Sequence, residues 1–321
     1  MRIVFFGSPD YAVPSLRAVL DLSHVQVVAV VTQPDRARGR SGRLRQTPVK
    51  QLAVERGVTT ILQPQRVRRD TTEALTAIGI DAGVVAASGH ILPQHLLDAI
   101  PLGLLNVHAS LLPRHRGASP VAAAILEGDA EAGVTLMRVV REVDAGPIVA
   151  SRATPIAAFD TTATLTDQLA ELGGALLTER LPAWLRGELP ETPQDESLAT
   201  YAPQLEKADG VLDWSQPAGV AARRVRAFQP WPLATTTYRG ETLTIHEAWP
   251  LPLATDVAPG TVIVGGGEPL AVPLQDGQVR AVVACGEGGL ALLRIQRPGK
   301  RPMSLEDYLN GDSKFIGARL G

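Results

Sequence analysis

Several stretches of this chain are apolar on both faces. RIVFFG (residues 2–7), VQVVAVVTQ (25–33), IDAGVVAAS (80–88) and GLLNVHAS (103–110) are near-continuous Val, Ile, Leu, Phe and Ala. Segments with helical spacing lie between them, including VPSLRAVLDL, PVKQLAVERG, TTEALTAIG and PQHLLDAI. A half-exposed strand alternates polar and apolar residues. A continuous run needs cover on both sides, which crossover helices of a parallel sheet supply. The spacing therefore predicts an α/β fold, Rossmann-like and doubly wound, with a mainly parallel sheet. Such sheets bind ligands at the carboxyl ends of their strands.

Two further strands are expected at GVTLMRVV (133–140) and PIVASRATPI (147–156), flanking REVDAG, and a long helix over 163–186. Residues 189–206 carry prolines and acids without periodicity and read as a linker between a domain at 1–188 and one at 207–321. The last part has one helix near PAGVAARRVRAF and then short strands broken by Gly/Pro turns. That pattern suits a small β-barrel, OB-like in size.

Composition narrows the class. With 45% hydrophobic and 20% charged residues, the chain can bury a large core. No apolar run approaches a bilayer-spanning length, and MRIVFFGSPD is too early broken for a signal peptide, so a cytoplasmic protein is expected. The one cysteine, Cys285, excludes a disulfide framework and a Cys-rich zinc site. His24, His95 and His246 lack metal-ligand spacing, and no metal is expected. The net charge of −2 argues against a uniformly basic surface. Basic residues nevertheless cluster twice. QPDRARGRSGRLRQTPVK holds Arg36, Arg38, Arg40, Arg43, Arg45 and Lys50 against Asp35, and RIQRPGKRP holds Arg294, Arg297, Lys300 and Arg301. Either cluster can be a solvated surface or a grip on a polyanion.

The first βα turn, FFGSPDYAVPSL, lacks the G-x-G-x-x-G fingerprint, and no Walker lysine is present. Asn106 and His108, at i and i+2 of one strand, point to the same side. They are either a strand-end capping pair or two donors for a developing oxyanion. Asp144, in the REVDAGP turn, is either a turn aspartate or a carboxylate that orients His108 and receives a proton. No Ser/His elbow, H-E-x-x-H or C-x-x-C accompanies them.

NVHASLLPRHRGASP followed by VDAG resembles the folate-dependent formyltransferases. TQPDRARGR, TPVKQLA, LDWSQPA and RAFQPWP extend the match along nearly the whole chain, toward the members that formylate methionyl initiator tRNA. The resemblance implies transfer of a formyl group from 10-formyltetrahydrofolate to the α-amino group of methionyl initiator tRNA. It assigns catalysis to Asn106, His108 and Asp144, and folate binding to Ser110, Leu111, Leu112 and Pro113 with Ile91 and Leu92. Binding of tRNA falls to Arg38, Arg40, Arg43 and Arg45 and, in the C-terminal domain, to Arg297, Lys300 and Arg301. A monomer without membrane contact is implied. The sequence departs from relatives at Ser88, His90, His115, Val140 and Glu142, and its basic loop uses arginines where a lysine pair is usual. Competing readings are a sugar-nucleotide N-formyltransferase with the same donor, a formylfolate hydrolase, and a non-catalytic RNA-binding protein.

Overall fold

The computed structural model describes residues 1–37, 44–254, 256–265 and 279–321. It divides into two units, one of residues 1–120, 130–155 and 165–203, the other of residues 121–129, 156–164 and 204–321.

The first unit is built on seven strands: β1 (Arg2–Gly7), β2 (Gln26–Val31), β3 (Ile61–Leu62), β4 (Ala82–Ala86), β5 (Leu104–His108), β6 (Glu131–Arg138) and β7 (Ile148–Pro155). Their order is β3-β2-β1-β4-β5-β6-β7. The five strands from β3 to β5 run parallel. β6 and β7 are antiparallel additions. In β1, Ile3, Val4, Phe5 and Phe6 are all fully buried, so neither parity of side chain meets water. β7 alternates instead, as an edge strand with a wet face. The order reverses between β1 and β4, which opens a crevice beyond their carboxyl ends.

Helices α1 (Val13–Leu20), α2 (Pro48–Glu55), α3 (Arg69–Ile78) and α4 (Gln94–Ala99) follow successive strands. Thr47 caps α2 by accepting the Lys50 backbone N–H at 3.1 Å. Val4, Phe6, Val31, Leu75, Leu96 and Leu104 form a core on one face of the sheet. Helix α6 (Thr162–Leu185) approaches the other face closely because Gly173 lies against Val107 and Val134. Helix α5 (Pro120–Glu127) is short and almost wholly apolar, so periodicity alone does not reveal it.

Residues 189–206 form an ordered strap as far as Pro203, where the first unit ends. Thr192 bridges Ile148 with N–O distances of 2.8 Å in both directions. Tyr201–Ala202 pairs in parallel with Arg116–Gly117. An extended strap has no helical period, and its prolines do not interrupt it.

The second unit holds β8 (Ala234–Tyr238), β9 (Glu241–Leu251), β10 (Val262–Val264), β11 (Ala281–Ala284), β12 (Gly289–Gln296) and β13 (Met303–Ser304). The order is β8-β9-β12-β11-β10, with β13 on β12, in an antiparallel half-barrel. Arg239 and Gly240, both at positive φ, make the two-residue turn between β8 and β9. Helices α7 (Ala218–Ala227) and α8 (Leu305–Gly311) belong to this unit, whose core includes Trp214, Val225, Ile245, Leu290, Ile295 and Phe315. Among the described residues no helix is long and apolar enough to cross a membrane.

Candidate active site

At the carboxyl end of β5 the alternation of the strand decides which side chains meet the crevice. Val107 is buried in the core, while Asn106 is half-buried beside Val85 and Met137. The Asn106 amide takes no hydrogen-bond partner among the described residues. His108 is 6% exposed, and its Nε2 lies 3.0 Å from the His115 carbonyl oxygen. A carbonyl only accepts, so Nε2 carries a proton. Nδ1 faces Asp144 Oδ1 at 3.6 Å, beyond hydrogen-bond range. Protonation at Nδ1 converts that approach into an ion pair.

Asp144 lies in the turn between β6 and β7 with φ of 53°, and its Oδ2 accepts the Gly117 N–H at 2.8 Å. Ala87 and His115 also have positive φ, so three of the five non-glycine residues with this strain among the described residues sit around one site. Each such residue costs about 1–3 kcal/mol and persists only where the surroundings enforce it.

The enforcement can be traced. Thr135 Oγ1 donates to the Ser110 carbonyl at 2.7 Å and accepts the Leu112 N–H at 3.1 Å. Ser110 Oγ donates to the Arg114 carbonyl at 2.6 Å. Ser110 and Leu112 are buried, and these bonds to Thr135 and Arg114 hold the Ser110–Pro113 turn just before the His115 carbonyl. Arg116 is 1% exposed; its guanidinium donates to Gln194 Oε1 at 2.8 and 3.1 Å and to the Glu196 carboxylate at 2.8 and 2.9 Å. Arg116 holds the Glu196 carboxyl below its ordinary range. Gln194 Nε2 donates to the carbonyls of Asp144 at 2.8 Å and Gly146 at 2.7 Å. Sequence reading missed Gln194 and Glu196, which lie in the strap. The available signal was Arg116 itself, since a buried guanidinium requires a partner.

On the neighbouring β4 loop, His90 Nε2 donates to the Pro64 carbonyl at 3.0 Å, which leaves Nδ1 to accept from Ser88 Oγ at 3.0 Å. Ile91, next in the chain, is 90% exposed, while Leu92 packs against the sheet core. A cleft of about 440 Å³ is lined by the apolar Leu97, Leu104, Val139 and Val140 together with Asp98, Arg138, Arg141 and Glu142. A second, of about 660 Å³, is lined by Asp10, Gln33, Arg36, Arg45, Gln46 and Gln51. Arg45 stands on a short ladder with Arg36. Arg38, Arg40 and Arg43 lie outside the described residues. In the second unit Arg297 sits over the Tyr308 ring and pairs with Asp312 at 3.3 Å, whereas Lys300 and Arg301 are exposed.

The family model described as formyl transferase matches residues 1–181, and that of its C-terminal domain matches residues 204–313. A methionyl-tRNA formyltransferase of Methylococcus capsulatus is 46% identical over the full length of both chains. This chain belongs to the formyl transferase family. A methionyl-tRNA formyltransferase of Gluconobacter oxydans is 44% identical, again over the full length of both. Among solved structures, the sugar 3N-formyl transferase WlaRD shares this formyltransferase's fold with a TM-score of 0.64 at 16% identity, covering 94% of this chain and 99% of that one. HypX from Aquifex aeolicus, in complex with tetrahydrofolic acid, has a TM-score of 0.60 at 21% identity and covers 98% of this chain and 48% of that one.

Proposed function

We propose that this formyltransferase moves the formyl group of 10-formyltetrahydrofolate to the α-amino group of methionyl initiator tRNA. The observation that carries the reading is the end-to-end likeness to methionyl-tRNA formyltransferases, supported by Asn106 and His108 at alternate positions of β5 and Asp144 3.6 Å from His108. The bound folate supplies the activated formyl group. Leu97, Leu104, Val139 and Val140 offer apolar contact for a flat heteroaromatic ring, and Asp98, Arg141 and Glu142 line the same cleft as polar groups for its edge. We assign Ile91 and Leu92 of the β4 loop to the same folate site, with the Ser110–Pro113 turn behind it as a brace.

As an amine attacks a formyl carbon, charge develops on the formyl oxygen. The unpartnered Asn106 amide is a ready donor to it, and a protonated His108 Nδ1 is a second. Asp144, with one oxygen fixed by Gly117, keeps the other toward His108 and the reacting groups and can take the proton released by the amine. A free α-amino group has a pKa of about 7.7–8.0, so a carboxylate base suffices near neutral pH.

The larger cleft with Arg36 and Arg45 on its rim suits the acceptor end of the tRNA, and the basic loop from Arg38 to Arg45 suits its phosphates. We assign residues 1–188 to catalysis and the OB-like second domain, 207–321, to the tRNA body through Lys300 and Arg301, with Arg297 partly held by Asp312; the enzyme acts as a cytoplasmic monomer. The test is transfer from 10-formyltetrahydrofolate to charged initiator tRNA, compared with an amino-sugar nucleotide. Formylation of the sugar nucleotide alone would overturn the assignment.

A further inference from the structure

Gln194 lies 50 residues from Asp144 in sequence. Its one amide nevertheless meets both sides of the site. The two N–H bonds of Nε2 go to the carbonyls of Asp144 and Gly146, on either side of the strained peptide that aims the carboxylate. Its Oε1 is gripped by Nε and Nη2 of the buried Arg116, and Arg116 is fixed in turn by the bidentate Glu196. The same strap serves His108. Thr200 Oγ1 accepts the His115 N–H at 2.9 Å, and the Thr200 carbonyl accepts the Arg116 N–H at 2.9 Å. The His115 carbonyl is the group that holds His108 Nε2. Gly117, which follows Arg116 in the ladder with the strap, supplies the N–H that fixes Asp144 Oδ2.

We infer that Gln194 is a positioning residue of the formyl transfer, and that the strap from Glu191 to Pro203 sets the His108–Asp144 geometry. The chemistry of the amide explains the choice of residue. Only a side chain with two donors and one acceptor can satisfy two carbonyls and a guanidinium at once. Glutamate would present an acceptor to acceptors, and arginine a donor to a donor. The left-handed φ of Asp144 favours relaxation of the turn unless its carbonyl is held. Release of that carbonyl lets the carboxylate swing from a nitrogen already 3.6 Å away. The inference rests on the catalytic roles proposed above.

The test uses the full chain with Gln194→Met, which keeps length and loses the bonds to Asp144, Gly146 and Arg116, and Gln194→Glu, which keeps the Arg116 contact and loses the donors. Formylation kinetics, calorimetric unfolding and hydrogen exchange of residues 141–147 are measured on each. Misplacement of a reacting group lowers kcat by about 10- to 100-fold. We expect that loss with both KM values little changed, together with faster exchange in the turn. In an Asp144→Asn background the Gln194 substitutions should cost almost nothing more, because they act through that carboxylate. Exchange unchanged in the turn overturns the inference, as does an undiminished kcat or an equal loss in the Asp144→Asn background. If Gln194→Met does not fold, Gln194→Glu decides by the same readouts, and loss of fold in both reduces Gln194 to a structural residue. A wild-type chain that transfers no formyl to tRNA refutes the function instead, while the exchange data still judge the clamp.

Discussion

Replacing Asp144 with asparagine isolates the proton-accepting role from the role in the turn. The Asp144 Oδ2 position faces the Gly117 N–H at 2.8 Å and so requires an acceptor. The asparagine oxygen takes it, because the opposite orientation leaves a donor unpaired at a cost of about 1–3 kcal/mol. The new amide nitrogen then stands where Oδ1 was, 3.6 Å from His108 Nδ1. With Nε2–H given to His115, the neutral ring offers Nδ1 as an acceptor, and the amide N–H faces it. Stability should change by less than about 1 kcal/mol, the scale of one hydrogen bond. Chemistry loses both its base and the partner of a protonated His108. General acid–base catalysis contributes about 10²–10⁴ in rate, equivalent to roughly 3–5 kcal/mol at 1.36 kcal/mol per decade. Initial rates with 10-formyltetrahydrofolate and charged initiator tRNA across pH, beside calorimetry, measure both quantities. An unchanged pH–rate profile with only a small loss of kcat would refute the reasoning and leave Asp144 a turn residue.

Asn106→Ala should lower kcat by about 10²–10³ as one oxyanion donor is lost; because the amide has no partner within the described chain, the unfolding temperature should hold, and a large drop in it would mark a structural role. Arg40→Ala, Arg43→Ala and Arg45→Ala combined should flatten the slope of log tRNA affinity against log salt by about 0.7–0.9 per lost phosphate contact, with folate affinity unchanged; an unaltered slope would make the arginines a solvated surface. The Glu191 carboxyl lies below its ordinary range because Arg138 donates to it at 2.6–3.0 Å. Its stabilisation is therefore complete above the ordinary glutamate value and fades as pH falls through the depressed one. Glu191→Gln should cost about 1–2 kcal/mol at neutral pH, allowing for partial exposure, and flatten the acid limb of stability seen by calorimetry at several pH values. Gly146→Ala drives a methyl into the Arg138 carbonyl, so both stability and kcat should fall, and a fully active, equally stable variant would contradict the packing of this turn.

The sequence by itself determined the parallel sheet, because strands covered on both faces leave continuous apolar runs in β1, β2 and β4, and helical segments alternate with those runs. It determined that Asn106 and His108 share a face, since strand alternation is geometry and needs no partner. It also marked the turn at Asp144 and the change to antiparallel structure after the strap. Helix α5 escaped because eight nearly all-apolar residues have no polar face to give a period. The strap escaped for a deeper reason. Its residues form no periodic element, and their partners Arg116, Asp144 and Ile148 are distant in sequence, so only chain closure brings them together. The tautomer of His108 rests likewise on the His115 carbonyl, placed by Ser110, Thr135 and Thr200 from three different segments. Local sequence fixes which face of a strand a side chain takes. Hydrogen bonds from elsewhere in the chain fix where its proton sits and how the carboxylate beside it is aimed, and those were decided by the tertiary structure alone.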